Sequence, residues 1–363
     1  MDRNVSGVSI AGVVDADGHV SEPPEMWEEH LAPEHHAHAP RLVKDEHGHW
    51  RILLAGELMP PIPTPKEWAD RFRPAGGVDP KARLVDMDTE GIERSVLFTT
   101  TGLFFGGIKD DAAQIALCRA YNDWLGEFCA TDPDRLIGVA VVPQNDLAAA
   151  LAETRRAVGE HGFKGVMLRP NLIRGRSLHH PEYEPLWDAM EELAVTVAVH
   201  EGTTQNVVQS GFDRFESFAF RHAVSHPHEQ QLGCLSLICG GVLERHPGLR
   251  VVFLESGCGW VPYWLERLDE HMEKWSFATT PLPHEPSEYF ARQCFVSCEP
   301  DERTLPAVIS TLGDDTIVFA SDYPHPDGIF PGIVAALADR DDLSEETKTK
   351  ILVTNPSRCF GLG

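Results

Sequence analysis

The chain has 363 residues, 42% of them hydrophobic, a formal net charge of -25 and a pI near 5.0. That composition supports a large buried core, and the charge argues against nucleic acid and anionic membrane as partners, since both would repel it. No apolar run reaches the ~18 residues that span a bilayer, and the opening MDRNVSGVSIAGVVDADGHV, with a single Arg, makes no convincing signal peptide.

Short apolar runs alternate with helical patterns along the chain. The first candidate strand covers 12–17. Residues 20–80, rich in Pro and His, then interrupt the pattern and include a hairpin signature, HWRILLAGELMPP. This stretch follows the first strand, so it is read as an insertion over the catalytic face and not as a second domain. Strands are expected at 94–100, 136–142, 165–168, 195–200, 250–255, 294–297 and 316–320. Most are unbroken apolar runs, the pattern of parallel strands buried on both faces. Helices are expected between them at 112–130, 146–158, 184–194, 230–245, 261–275 and 305–312, with another at 344–352. Leu117, Tyr121, Trp124, Leu125 and Phe128 share one face of the first, and Asp146 is placed to cap the second. Residues 201–226 form a second long connection.

Eight strands alternating with helices predict a (β/α)8 TIM-like barrel with an insertion after strand 1, one domain over 1–363. A doubly wound open sheet competes, but no Gly-rich phosphate loop follows the first strand. The eight Cys form no CxxC pair and read as small core residues in a reducing, cytoplasmic compartment.

Metal-competent side chains fall where the strands end. VVDADGH supplies Asp15, Asp17 and His19, and the period of two puts Asp17 and His19 on one side. AVHEG supplies His200, SHPHEQ His226 and His228, FLESG Glu255, and ASDYPH Asp322. Charges capping apolar strands are costly unless paired or metal-bound, and here several coincide at the end where barrels keep their chemistry. Asp15 is expected to bond barrel backbone or orient a ligand. Arg169 and Asn171 could grip a substrate carboxylate, or Arg169 could pair with Glu201 or Asp322. His226 is a ligand or shapes a turn before Pro227. His325 is expected to donate to a ligand carboxylate or pack, and Glu299 to be a ligand or to open a helix. His35, His36 and His38 read as solvated surface.

DADGH, KGVMLRPN, AVHEG, HPHEQ followed by GGVLERHPGLRVVFLESG, SDYPH and TNPSRCFGL together resemble the amidohydrolase-related family, the group of aminocarboxymuconate-semialdehyde and gamma-resorcylate decarboxylases. The resemblance implies a barrel, a homodimer, and a divalent metal held by Asp17, His19, His200 and Asp322. Two positions depart from it: those decarboxylases usually carry His or Glu at Asp17, and a proton-handling His at Glu255. His226 is an additional imidazole. Three imidazoles and three carboxylates exceed what a lone zinc takes and suit two carboxylate-bridged ions; zinc, manganese and iron all remain candidates, and mixed ligation with open positions is also what iron or manganese prefers. Two activities follow. One is hydrolysis or decarboxylation of a small carboxylate or aromatic substrate, with Glu255 and Asp322 catalytic and Glu255 carrying the proton at a raised pKa. The other is a dinuclear iron or manganese oxygenase, similar to some members of the wider family.

Overall fold

The structure, a computed structural model, describes residues 10–46, 50–59, 74–204, 206–326 and 328–363. Its centre is an eight-stranded parallel sheet in the order β1 (Val13–Val20), β5 (Ile92–Thr99), β6 (Leu136–Val141), β7 (Gly165–Leu168), β8 (Thr196–Val199), β9 (Arg250–Phe253), β10 (Cys294–Cys298) and β11 (Ile317–Phe319). Beyond the ladder, the N–H of His19 reaches the carbonyl of Tyr323 at 2.6 Å, so the eighth strand returns to the first. This is the expected (β/α)8 barrel. Val96, Val166, Val197, Val251, Val296 and Val318 are completely buried, which is why these strands carry no polar alternation.

The register of β1 slips between Asp15, opposite Ser95, and Gly18, opposite Leu97. One extra residue is thereby inserted into β1 beside Asp17, a bulge of the kind that re-aims side chains at strand ends. Gly18 is required there. A Cβ would collide with the Arg83 guanidinium, the Asp15 carboxylate and the Ser95 hydroxyl, all packed behind the strand.

Surrounding helices are α1 (Pro24–His30), α2 (Pro80–Glu90), α3 (Asp111–Cys129), α4 (Leu147–His161), α5 (Glu184–Glu192), α6 (Phe218–Cys239), α7 (Val261–Lys274), α8 (Pro286–Gln293) and α9 (Leu305–Leu312). Asp146 caps α4 as expected, accepting from the N–H groups of Ala148 and Ala149 at 3.0 Å. The helix expected at 230–245 is displaced: α6 begins at Phe218, runs through Pro227, and stops at the Gly240–Gly241 pair. A proline removes one helical N–H, but burial of Ser225, His226, Glu229 and Gln230 along one side holds the helix together. Gln230 donates to the carbonyls of Val199 (2.9 Å) and Leu254 (2.8 Å), so α6 is fastened across the ends of β8 and β9.

In the stretch after β1, the small antiparallel strands β2 (Arg41–Lys44), β3 (Trp50–Leu54) and β4 (Glu57–Leu58) form a separate sheet. The expected hairpin is the β3–β4 pair, turned by Ala55 and Gly56 at positive φ; its flanking His49, Pro60 and Pro61 lie outside the described residues. Glu57 reaches Lys109 at 2.7 Å and Asn206, tying the hairpin to the loops after β5 and β8. All eight cysteines are free thiols and seven are buried. Among the described residues, no helix is long and apolar enough to cross a membrane.

Candidate metal centre

The strand ends place Asp17 and His19 (β1), His200 (after β8), Glu255 (after β9) and Asp322 (after β11) in one pocket at the C-terminal mouth of the barrel. His19 Nε2 lies 3.5 Å from Asp17 Oδ1 and 3.4 Å from Asp322 Oδ1. His200 Nε2 lies 3.6 Å from Asp17 Oδ1 and 3.2 Å from Glu255 Oε2. Asp17, His19 and His200 each offer a ligand atom within 4.8 Å of the others, and so do His19, Glu255, Asp322 and His325.

The imidazoles are oriented from behind. His19 Nδ1 donates to the Thr99 carbonyl at 2.7 Å, and His200 Nδ1 to the Glu201 carbonyl at 2.6 Å. A carbonyl can only accept, so each Nδ1 carries its hydrogen and each Nε2 turns toward the pocket. His325 stacks on His19 at 4.0 Å between ring centroids and bonds Asp322 Oδ1 at 2.7 Å and the Thr100 hydroxyl at 3.0 Å. It braces a carboxylate, as expected.

Asp15 stands behind the pocket. It accepts from the Ser321 N–H (2.9 Å), the Ser321 and Ser95 hydroxyls (2.8 Å each) and, more weakly, the Asp17 N–H (3.3 Å), with the Arg83 guanidinium 3.9 Å away. It therefore bonds barrel backbone, as the sequence suggested. Glu255 and Asp322 both have φ of 52°. That left-handed backbone is strained for residues with a Cβ and recurs at functional sites.

The electrostatics follow from burial and mutual proximity. Burial raises the Asp17 carboxyl above its ordinary range, and burial together with His325 and His200 drives His19 well below its own. Burial opposes a charge on His200, but Asp17 and Glu255 outweigh it and lift the imidazole to about 9. Burial likewise opposes a charge on His226, yet Glu255 raises it. Glu255 itself is held well below the usual carboxylate range, because His226 and His200 override its burial. This corrects the expectation of a raised pKa at Glu255: flanked by imidazoles, it stands as an anion. Another carboxyl pushed up is that of Glu299, an exposed residue after β10 whose carboxyl group is largely enclosed. Burial and the neighbouring Asp322, Glu255 and Asp17 carry it to about 8. Sequence reasoning leaves Glu299 as a ligand or a helix-opening acid; the three carboxylates that act on it come from other strands.

Two more positions carry alternative readings in the sequence. His226 sits on α6 and not in a turn, with Nε2 3.4 Å from Glu255 Oε1. Arg169 is fully engaged within the protein. It bonds Asn171 (3.1 Å), Glu201 (3.1 Å) and the carbonyls of Leu103 and Gly202, which uses four of its five N–H donors. Asn171 in turn reaches Glu201 and the Val208 carbonyl. Both residues brace the loop after β8, which leaves them little with which to hold a substrate. His222, one turn before His226, was not singled out from the sequence, yet it faces Glu255. His35, His36 and His38 lie in a turn at Pro33–His38, none of them in the groups just described.

Buried donors converging on the mouth of a parallel barrel define a metal-ready site of the amidohydrolase type. A family model for amidohydrolases matches residues 14–362, and the chain belongs to that family. It is 30% identical over 294 residues to gamma-resorcylate decarboxylase of Rhodococcus jostii, covering 77% of this chain and 87% of that one. It is 27% identical over 286 residues to 2-amino-3-carboxymuconate-6-semialdehyde decarboxylase of Dictyostelium discoideum, covering 78% and 77%. Among solved structures, an amidohydrolase from Mycobacterium avium subsp. paratuberculosis superposes with a TM-score of 0.80 at 23% identity, over 97% of this chain and 99% of that one. A dihydroxybenzoic acid decarboxylase from Polaromonas, solved with manganese and 2-nitroresorcinol, gives 0.70 at 21%, over 97% and 98%. Three of these four proteins are named as decarboxylases and the fourth as an amidohydrolase.

Proposed function

We propose that this chain is a metal-dependent carboxy-lyase that removes CO2 from a small aromatic carboxylate, with a divalent cation held by Asp17, His19, His200 and Asp322. One observation carries the reading. Both Asp17 carboxylate oxygens, His19 Nε2, His200 Nε2 and Glu255 Oε2 are buried without a hydrogen-bond partner, and all belong to this pocket. Unpaired buried polar atoms are expensive, and five of them around one point fit a cation better than a water-filled core. Mixed imidazole and carboxylate donors suit manganese, iron or zinc, and the manganese bound to the Polaromonas decarboxylase supports the first.

When bound, the cation would act as a Lewis acid on the substrate's carboxylate or an adjacent hydroxyl. The protein's own groups do the rest. The Thr99 and Glu201 carbonyls keep the imidazoles aimed, and Asp322 and Glu255, with side chains 15% and 16% exposed, stay reachable from the mouth. Glu299 gives a proton to the ring carbon, which keeps the electron pair of the broken carbon–carbon bond as CO2 departs. Its exposure lets solvent restore that proton. The carboxyl-cleaving relatives support this route over hydrolysis and over dioxygen chemistry.

The test is CO2 release from a panel of hydroxybenzoates by protein purified from manganese-supplemented cells. Turnover should vanish with chelator and return with Mn(II). Manganese-loaded protein that leaves every member of the panel intact would refute the carboxy-lyase reading.

A further inference from the structure

We infer a second cation site beside the first, built by His222 and His226 of α6 with Glu255, and with Glu255 shared between the two. The inference rests on the reading that the first group holds a cation. His222, His226 and Glu255 each present a ligand atom within 4.8 Å of the others. The two histidines are four residues apart on one helix, so both project from the same face. Their rings stack with centroids 4.0 Å apart and planes at 27°. An i, i+4 histidine pair is the spacing by which helices hold zinc in other proteins.

Glu255 points to sharing. Its two oxygens are divided: Oε2 lies 3.2 Å from His200 Nε2 in the first group, and Oε1 lies 3.4 Å from His226 Nε2 in the second. Oε2 is buried and makes no hydrogen bond. A carboxylate spread between two imidazole sets has the disposition of a bridging ligand. Its position is fixed by a left-handed backbone at residue 255 and by the Glu255 N–H donating to the Ser297 hydroxyl at 3.2 Å. Two imidazoles and one carboxylate oxygen suit a divalent first-row cation and leave coordination positions free for a second oxygen of the substrate. His222 is half-buried. The aromatic carboxylate would then be gripped by two ions in place of an arginine, which accords with Arg169 being spent elsewhere.

Metal-stripped protein titrated with Mn(II) alone tests this, read by elemental analysis after desalting and by electron paramagnetic resonance. The wild type should hold two Mn(II) per chain with an exchange-coupled spectrum. His222→Gln and His226→Gln should each hold one, with the six-line spectrum of an isolated ion and unchanged circular dichroism. One Mn(II) per wild-type chain, insensitive to His222→Gln, would overturn the second site and leave the first standing. No bound Mn(II) would overturn both, and two ions in both variants would overturn the ligand assignment.

Discussion

The backbone N–H of Asp322 donates to the carbonyl of Asp17 at 2.8 Å. The last and first strands of the barrel are thus joined at two residues whose carboxylates both approach His19 Nε2, so closing the barrel also gathers the proposed ligands.

Asp17→Asn keeps the shape of that junction and removes a buried negative charge from the cation's surroundings. Loss of groups that merely support ligands costs about 10–100-fold in metal affinity, so loss of this carboxylate should cost at least about 100-fold. Competition with a fluorescent chelator measures it. Affinity equal to wild type would remove Asp17 from the ligand set.

Asp15→Ala strips acceptors from the Ser95 and Ser321 hydroxyls and leaves Arg83 without its buried carboxylate. Breaking a buried charge pair from one side costs about 3–5 kcal/mol. The urea midpoint of the metal-free protein should fall accordingly, free of the ligand's own stabilisation.

Arg169→Met leaves the Glu201 carboxylate completely buried with only Asn171 and Gln209 as side-chain donors. It should destabilise the fold by about 3–5 kcal/mol, whereas Arg169→Met with Glu201→Gln should recover part of that loss. A double variant no more stable than the single one would show that the pair is not the source of the effect.

The metal-free protein should lose stability as pH rises from 6.5 to about 9. His200 binds its proton more tightly folded than unfolded, with a folded pKa near 9. Its contribution is complete below the unfolded value of about 6.5 and disappears as pH passes the folded one. Glu299 acts in the same direction up to about 8. In the metal-loaded protein the cation replaces the His200 proton, so the melting temperature should decline less over this range. Parallel profiles would place no cation at His200.

Glu299→Gln should lower kcat by about 10²–10⁴ with metal content unchanged. A variant with wild-type turnover would move the proton to another group.

The barrel was legible because its strands are buried on both faces, so stretches such as those ending at His200 and Glu255 stand out as apolar runs closed by a charge. Strand position brought Asp17, His19, His200 and Asp322 forward as candidates, and the resemblance to the amidohydrolase-related family marked them out as a ligand set. The start of α6 could not be read. Pro227 looks like a break, and the burial that overrides it comes from the ends of β8 and β9, distant in sequence. Without that helix, His222 has no visible relation to His226. Arg169 offered two readings of equal merit, and only the positions of Leu103, Glu201 and Gly202 decide between them. The state of Glu255 depends on imidazoles from two other elements, which no local pattern reports.

The two residues at φ of 52°, Glu255 and Asp322, carry a further implication for the chain's history. Glycine would take up that shape without penalty, so a library selected only for resistance to heat should drift toward glycine at 255 and 322. Survivors of such a selection would be sturdier barrels without these carboxylates, which sets robustness and chemistry against each other at two identifiable codons.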